Sequence, residues 1–332
     1  MSIQTVAREA GVSIATVSRV FNLPGRVASE TREHVERVAL ALGYAPNASA
    51  RTLRTHRSRA LGVVLPTLLN PVFAECLEGI ASAATEAGYS IQPLTTEYSI
   101  ERENHAVGTL IAHGVDGMVM VASNPGTSAA LRRVVAAGTP YVLAYNRHEA
   151  HPCVSVDGEA AVAALVERLA AVGHRRIALV TGQLAASDRA QQRCRGFRLA
   201  MRQAGLDASR ILEVPFVQTA IEQIRALLQD TAVPRPSALV CSNDLLAIRS
   251  LRAAHLAGLA VPRDLSVIGF DGIALGEDLT PVLSSITQPN TEIGRCGVAL
   301  LLQAMADGLP LTPASSLTLA HGFRAGESFA PA

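Results

Sequence analysis

The sequence contains no lysine, so all 29 of its strongly basic residues are arginines, set against 28 acids for a net charge of +1. Cysteine is scarce. Cys76, Cys153, Cys194, Cys241 and Cys296 are odd in number, widely spaced and never in a CxxC pair. This excludes a disulfide framework and a zinc site and fits reduced, mostly buried thiols. No apolar run approaches the roughly 18 residues that cross a bilayer. The opening MSIQTVAREAG lacks the basic-then-apolar order of a secretory signal. A cytoplasmic chain with no membrane partner is expected. Also missing are a P-loop, GxGxxG, GxSxG and HExxH. The nine histidines, among them His148, His151 and His174, show no metal-ligand spacing and read as surface residues. No cofactor, metal or catalytic residue is expected, and an enzyme is disfavoured: Asp271 or Arg189 would lack a partnered nucleophile or base.

What is present is unevenly distributed. Residues 1–59 carry nine arginines and four glutamates, a net +5, while the rest carries 20 arginines and 24 acids, a net −4. A basic segment on a slightly acidic body suggests a polyanion-binding head attached to something with another task. The 332 residues, 49% of them apolar, suffice for two or three domains.

The head reads as three short helices. Ser2 can cap the first, whose inner face is Val6, Ala7 and Ala10. Gly11-Val12 turns the chain, and Ser13 caps a second helix from Ile14 to Phe21. Ser29 caps a third, with the stripe Val35, Val38, Ala39 and Leu42, ended by Gly43. Two short helices joined by a glycine turn form a helix-turn-helix. Val17 and Val20 face inward, which leaves Ile14, Ala15, Ser18 and Arg19 outward, where such a helix meets base edges in the major groove. Arg19 suits a guanine. Thr5, Thr16 and Ser18, with backbone N–H groups at helix starts such as Ser13, suit phosphates. The stretch that follows, PNASARTLR (46–54), could form about two turns capped by Asn47, but only Leu53 is large and apolar. A helix that short does not hold alone in water.

Beyond residue 59, apolar runs alternate with helical patterns: LGVVLP (61–66), DGMVMVA (116–122), PYVLAY (140–145), RIALVTG (176–182), SALVCS (237–242) and LSVIGFD (265–271). Strands alternating with helices mean a parallel sheet covered on both faces. There are too many strands for one sheet, and the break near CVSVDGEAA (153–161) suggests two sheets in tandem.

AGVSIATVSRVFN, YAPNASARTLR and LGVVLP…NPVF, in that order, resemble the LacI/GalR family of bacterial transcription regulators over essentially the whole chain. The resemblance implies a helix-turn-helix head (1–45), a hinge helix and linker (46–58) and an effector-binding, dimerising body (59–332). The implied body resembles a periplasmic sugar-binding protein, with two Rossmann-like parallel-sheet lobes joined by three crossovers. The first lobe would hold about 59–156 and 287–316, the second about 157–286 and 317–332. In the family two hinge helices meet in the minor groove of operator DNA, where a leucine wedges into a base step. That role falls here to Leu53, beside Ala50, with Asn47 at the start and Arg51 and Arg54 suited to phosphates. The family regulates as homodimers, some paired into tetramers.

The implied effector lies between the lobes. Asn70, Val72 and Phe73, in the first strand-to-helix loop, match positions near it, although Phe73 reads equally well as core. Ser123 sits at a similar strand end. Asn146 and Arg147 follow PYVLAY, where the family often has Asp-Arg. GQLAASDRAQQRCRGF (182–197) offers Arg189 first and Asp188 second, with Arg193 and Arg195 read as surface charges. Phe216 could stack on a ligand. Asn243 and Asp271 end strands, with Asp244 expected to cap the following helix. Arginine, aspartate and asparagine around an aromatic suit a sugar or sugar acid, and Arg189 or Arg147 could meet a carboxylate. The function implied is an effector-controlled repressor. The rival readings are a small-molecule binding module and an α/β enzyme.

Overall fold

The computed structural model describes residues 1–22, 24–44, 57–215 and 220–332. Contacts divide the chain into two compact units, Met1–Ser58 and Arg59–Ala332. The expected hinge residues Asn47, Ala50, Arg51, Leu53 and Arg54, and also Phe216, lie outside the described residues.

In the first unit, helices α1 (Ile3–Glu9), α2 (Ile14–Asn22) and α3 (Ser29–Ala41) enclose a small core. Val6, Ala7, Ala10, Val17, Val20, Val35 and Ala39 form it, edged by Val38 and Leu42. Ser2 Oγ accepts the Thr5 N–H at 3.2 Å and Ser13 Oγ the Thr16 N–H at 3.0 Å, so both serines cap as expected. Gly11 makes the turn between α1 and α2 at φ +64°, where a side chain would be strained. Ser29 does not cap α3. Ala28 holds that position, at φ −56° and ψ 140°, and Ser29 is already helical, so its hydroxyl lies within the first turn.

The second unit holds two six-stranded sheets, each flanked by helices. β1 (Ala60–Leu65), α4 (Pro71–Glu86), β2 (Ser90–Thr95), α5 (Ile100–Ala112), β3 (Gly117–Met120), α6 (Ala129–Ala136), β4 (Tyr141–Ala144) and β5 (Cys153–Val156) build the first lobe. The second has α7 (Gly158–Ala171), β6 (Ile177–Gly182), α8 (Asp188–Gln203), β7 (Ile211–Val214), α9 (Ile221–Gln229), β8 (Ala238–Cys241), α10 (Asp244–Leu256), β9 (Ser266–Asp271) and β10 (Ser284–Thr287). α11 (Asn290–Asp307) returns to the first lobe, followed by β11 (Leu317–Leu319), and β12 (Gly322–Arg324) lies in the second. The sheet orders are β11-β5-β4-β3-β1-β2 and β12-β10-β9-β8-β6-β7, so the chain crosses after β5, after β10 and after β11. Pairing is parallel except between β10 and β12. Leu317–Leu319 pairs with β5, which carries the first lobe to residue 319, beyond the expected 316.

β1, β3, β5, β6, β8 and β9 are buried along their whole length, as strands covered on both faces must be. Helices α4 and α11 cross closely because Gly79 lies against the Thr291 carbonyl and Gly294 against the Cys76 carbonyl, leaving no room for a Cβ. Four of the five cysteines are buried, and burial pushes the Cys76 and Cys241 thiols up to about 12. His174 is not a surface residue. It is 2% exposed and its ring nitrogens lie 2.9 Å from Ser237 Oγ and 2.9 Å from the Ala330 carbonyl oxygen. Among the described residues no helix is long and apolar enough to cross a membrane.

Candidate DNA-reading helix and interlobe cleft

On the head, α2 buries Val17 and Val20 and turns Ser13, Ile14, Ala15 and Arg19 to the surface, with Thr16 and Ser18 half-buried. Ile14 is 47% exposed, a large apolar group with no core to enter. The Ser13 and Thr16 hydroxyls lie 2.9 Å apart and those of Ser2 and Thr5 3.1 Å apart, so each cap also orients a threonine. The face presents short hydroxyls, a methyl, a branched aliphatic and a guanidinium at the start of a helix. That set can read base edges and hold phosphates.

In the body, the ends of β1, β6, β8 and β9 and the helix starts that follow them converge on a cavity of about 30 Å³ between the lobes. This is where open parallel sheets bind ligands. Asn70, Val72, Phe73, Arg189, Asn243 and Asp271 line it, as sequence reasoning expected of a site. Phe73 serves the core as well, edge-on to Tyr145 with ring centres 5.7 Å apart.

Asp271 ends β9 at φ +111°, a conformation that only surrounding structure can impose on a residue with a side chain. Its Oδ1 accepts from Gln288 Nε2 at 2.9 Å and pairs with Arg193 Nη2 at 3.3 Å. Burial pushes this carboxyl up to about 6, against the pull of Arg193 and a hydrogen bond from Asn70. Arg193, expected on the surface, is the residue sequence reasoning missed most plainly. It donates to the Ser242 carbonyl and stacks over Phe270 with its guanidinium carbon 3.6 Å from the ring centre. The signal was there: Arg189 and Arg193 are four apart on α8 and share a face, whereas Arg195 points away to Glu159 at 2.9 Å. Tyr98, Tyr145, Ser187, Ser242 and Gln288 also line the cavity and had no sequence signal of their own.

Asn243 and Asp244 exchange their expected tasks in part. Asn243 lines the cavity but also caps α10, accepting the Leu246 N–H at 2.8 Å. Asp244 is fully buried and accepts instead from Ile273 N–H at 2.8 Å and Ser285 Oγ at 2.6 Å.

Ser123, Asn146 and Asp188 do not line the cavity; they join the lobes beside it. The Ser123 carbonyl accepts the Asp188 N–H at 2.9 Å, and Asn146 Nδ2 donates to Asp188 Oδ1 at 2.7 Å. Arg189 Nη1 reaches the Ala122 carbonyl at 2.8 Å and Asp188 Oδ1 at 3.0 Å. Arg147 is elsewhere, exposed and paired with Asp157 at 3.1 Å. A cavity of this size holds a water or two, so a ligand as large as a monosaccharide enters only as the lobes part or the guanidiniums swing aside.

Residues 2–47 match the family described as bacterial regulatory proteins, lacI family, and residues 166–329 the periplasmic binding protein-like domain. The chain is 33% identical to catabolite control protein A of Priestia megaterium, over 92% of each chain. It is 32% identical to the ribose operon repressor of Haemophilus influenzae, over 91% of each. Its structure is similar to that of the lac repressor dimer bound to operator and the anti-inducer ONPF, at a TM-score of 0.85 and 27% identity over 99% of this chain and 98% of that one. A helix-turn-helix head, a two-lobed body with a polar cleft and full-length likeness to such regulators together place this chain in the LacI family of bacterial regulatory proteins, as a DNA-binding transcription regulator.

Proposed function

We propose that the protein is a cytoplasmic repressor that acts as a homodimer. Each head reads one half of a near-palindromic operator, and a sugar or sugar acid held between the lobes sets operator affinity. The observation that carries this reading is the union, in one chain, of an outward-facing α2 with a cleft lined by Asn70, Arg189, Asn243 and Asp271.

Ile14, Ala15, Ser18 and Arg19 read bases, while Thr5, Ser13 and Thr16 hold phosphates. Asn47, Ala50, Arg51, Leu53 and Arg54 form the minor-groove contact, with Leu53 as the wedge. The unstacking cost of a few kcal/mol is offset by the added protein surface that the bent duplex meets. Effector binding moves the lobes, and the movement changes how well two hinge segments pair on DNA. This is linkage between two sites, with a typical coupling of about 1–3 kcal/mol.

Selection from random duplexes by the full-length protein tests the reading. Enrichment of a near-palindrome with half-sites about one helical turn apart is expected. Recovery of no preferred sequence would overturn it.

A further inference from the structure

We propose that Ile14, with Ala15 beside it, reads the 5-methyl group of thymine, so that each operator half-site carries a thymine close to the guanine that suits Arg19. The proposal rests on the reading of the head as a DNA reader.

Ile14 and Ala15 are the first two residues inside α2. The end of the helix is pinned behind them. Ser13 Oγ accepts the Thr16 N–H at 3.0 Å, and the Ser13 carbonyl accepts the N–H of Thr16 at 2.9 Å and of Val17 at 3.1 Å. Every Cα–Cβ bond of a helix leans toward its N-terminus, so side chains of the first turn project toward whatever the helix start meets. In a helix-turn-helix that is the floor of the major groove.

Ile14 takes no part in the head's own packing. The core and the apolar residues packed around it include Ile3, Val12 and Phe21 on the same two helices, but not Ile14. It is 47% exposed, and Ala15 is exposed beside it. Neither side chain can donate or accept a hydrogen bond. Of the groups that base edges show in the major groove, the thymine methyl is the apolar one; the others are donors and acceptors. An isoleucine pressed on N7 and O6 of guanine would strip water from two acceptors and replace it with nothing. Against a thymine methyl the same side chain buries apolar surface on both sides. The pair therefore favours thymine and disfavours guanine at the positions it covers.

The stripes of the helix add the spacing. Ser18 follows Ile14 and Arg19 follows Ala15, each four residues on and on the same face. Four residues are about 6 Å of helix, or about two base steps of 3.4 Å. Thymine, on either strand, is thus expected within about two base pairs of the guanine.

The test uses the full-length protein and the operator selected from random duplexes. Each thymine of the half-sites is replaced in turn by deoxyuridine, in both half-sites at once, and affinity is measured by fluorescence anisotropy. Deoxyuridine keeps the pairing and the O4 acceptor and lacks only the methyl. At one or two positions per half-site the loss of the methyl is expected to weaken the wild-type protein about fivefold or more. Ile14→Ala is expected to bind the thymine operator more weakly and to lose most of that sensitivity. Wild-type affinity that no methyl removal lowers, or a loss that Ile14→Ala leaves as large as before, overturns the methyl assignment but leaves the head as the DNA reader. Recovery of no preferred sequence overturns the head's role and this proposal with it. The wild-type series alone can overturn the assignment, even if Ile14→Ala fails to fold.

Discussion

Burial pushes the Asp244 carboxyl up to about 7 from an ordinary value of 3.8, and the charge of Asp271 adds to the effect. A group with a raised folded pKa binds more protons in the native state than in the unfolded chain. Its contribution to stability is full below about pH 4 and is lost as pH rises through 7. Asp271, pushed up to about 6, acts in the same direction. Asp244→Asn keeps an acceptor for the Ile273 N–H and cannot ionise. It is expected to flatten the fall in stability between pH 4 and 7, read from urea unfolding at a series of pH values. An unaltered slope would contradict the assignment. On the head, Arg19→Ala is expected to weaken binding to the selected operator by about 1–3 kcal/mol and relax preference at one base position, measured by fluorescence anisotropy. Equal weakening on every sequence would make Arg19 a phosphate contact.

At this scale the site was half legible. Asn70, Asn243 and Asp271 stood out because each ends a readable strand or begins the helix after it, where ligands collect. Arg193 did not, because a guanidinium on a helix usually faces water; here the Asp271 carboxylate, the Ser242 carbonyl and the ring of Phe270 make its burial tolerable. His174 was misread for the same reason: its two partners come from distant parts of the chain, Ser237 and Ala330.

Among the elements, the central strands announced themselves as apolar runs because helices cover both of their faces. β2, β10, β11 and β12 did not. β2 lies at the sheet edge and is half exposed, and β11 and β12 have three residues each. β10 is buried yet reads SSIT, because its serines are structural: Ser285 holds Asp244, and Ser284 accepts the Gly326 N–H at 3.1 Å. The crossing of α4 and α11 was equally silent, since Gly79 and Gly294 look like ordinary weak points in a helix. Gly79→Val is expected to cost about 1–3 kcal/mol by forcing the helices apart, read from denaturant midpoints. A stability equal to wild type would mean that the crossing relaxes without loss.

For the whole molecule, the tandem of two parallel sheets followed from strand count and from the break at 153–161, and the chain's return to both sheets after β10 came from family resemblance. Its physical cause is visible in α11, which leaves the second lobe and packs on α4 of the first, so neither lobe is complete without the other's stretch of chain. Two lobes bound in this way can shift about their crossovers but cannot separate, and the contacts of Arg189 and Asn146 with the opposite lobe lie where a ligand would alter them. A ligand can bias the arrangement only by binding one form better than another. The most direct test is operator affinity of the full-length protein with and without a compound shown by calorimetry to bind in the cleft. The account predicts a change of about fivefold or more, the size of a typical coupling, which linkage then requires in the affinity for that compound with and without operator. A compound that binds in the cleft and leaves operator affinity unchanged would contradict it.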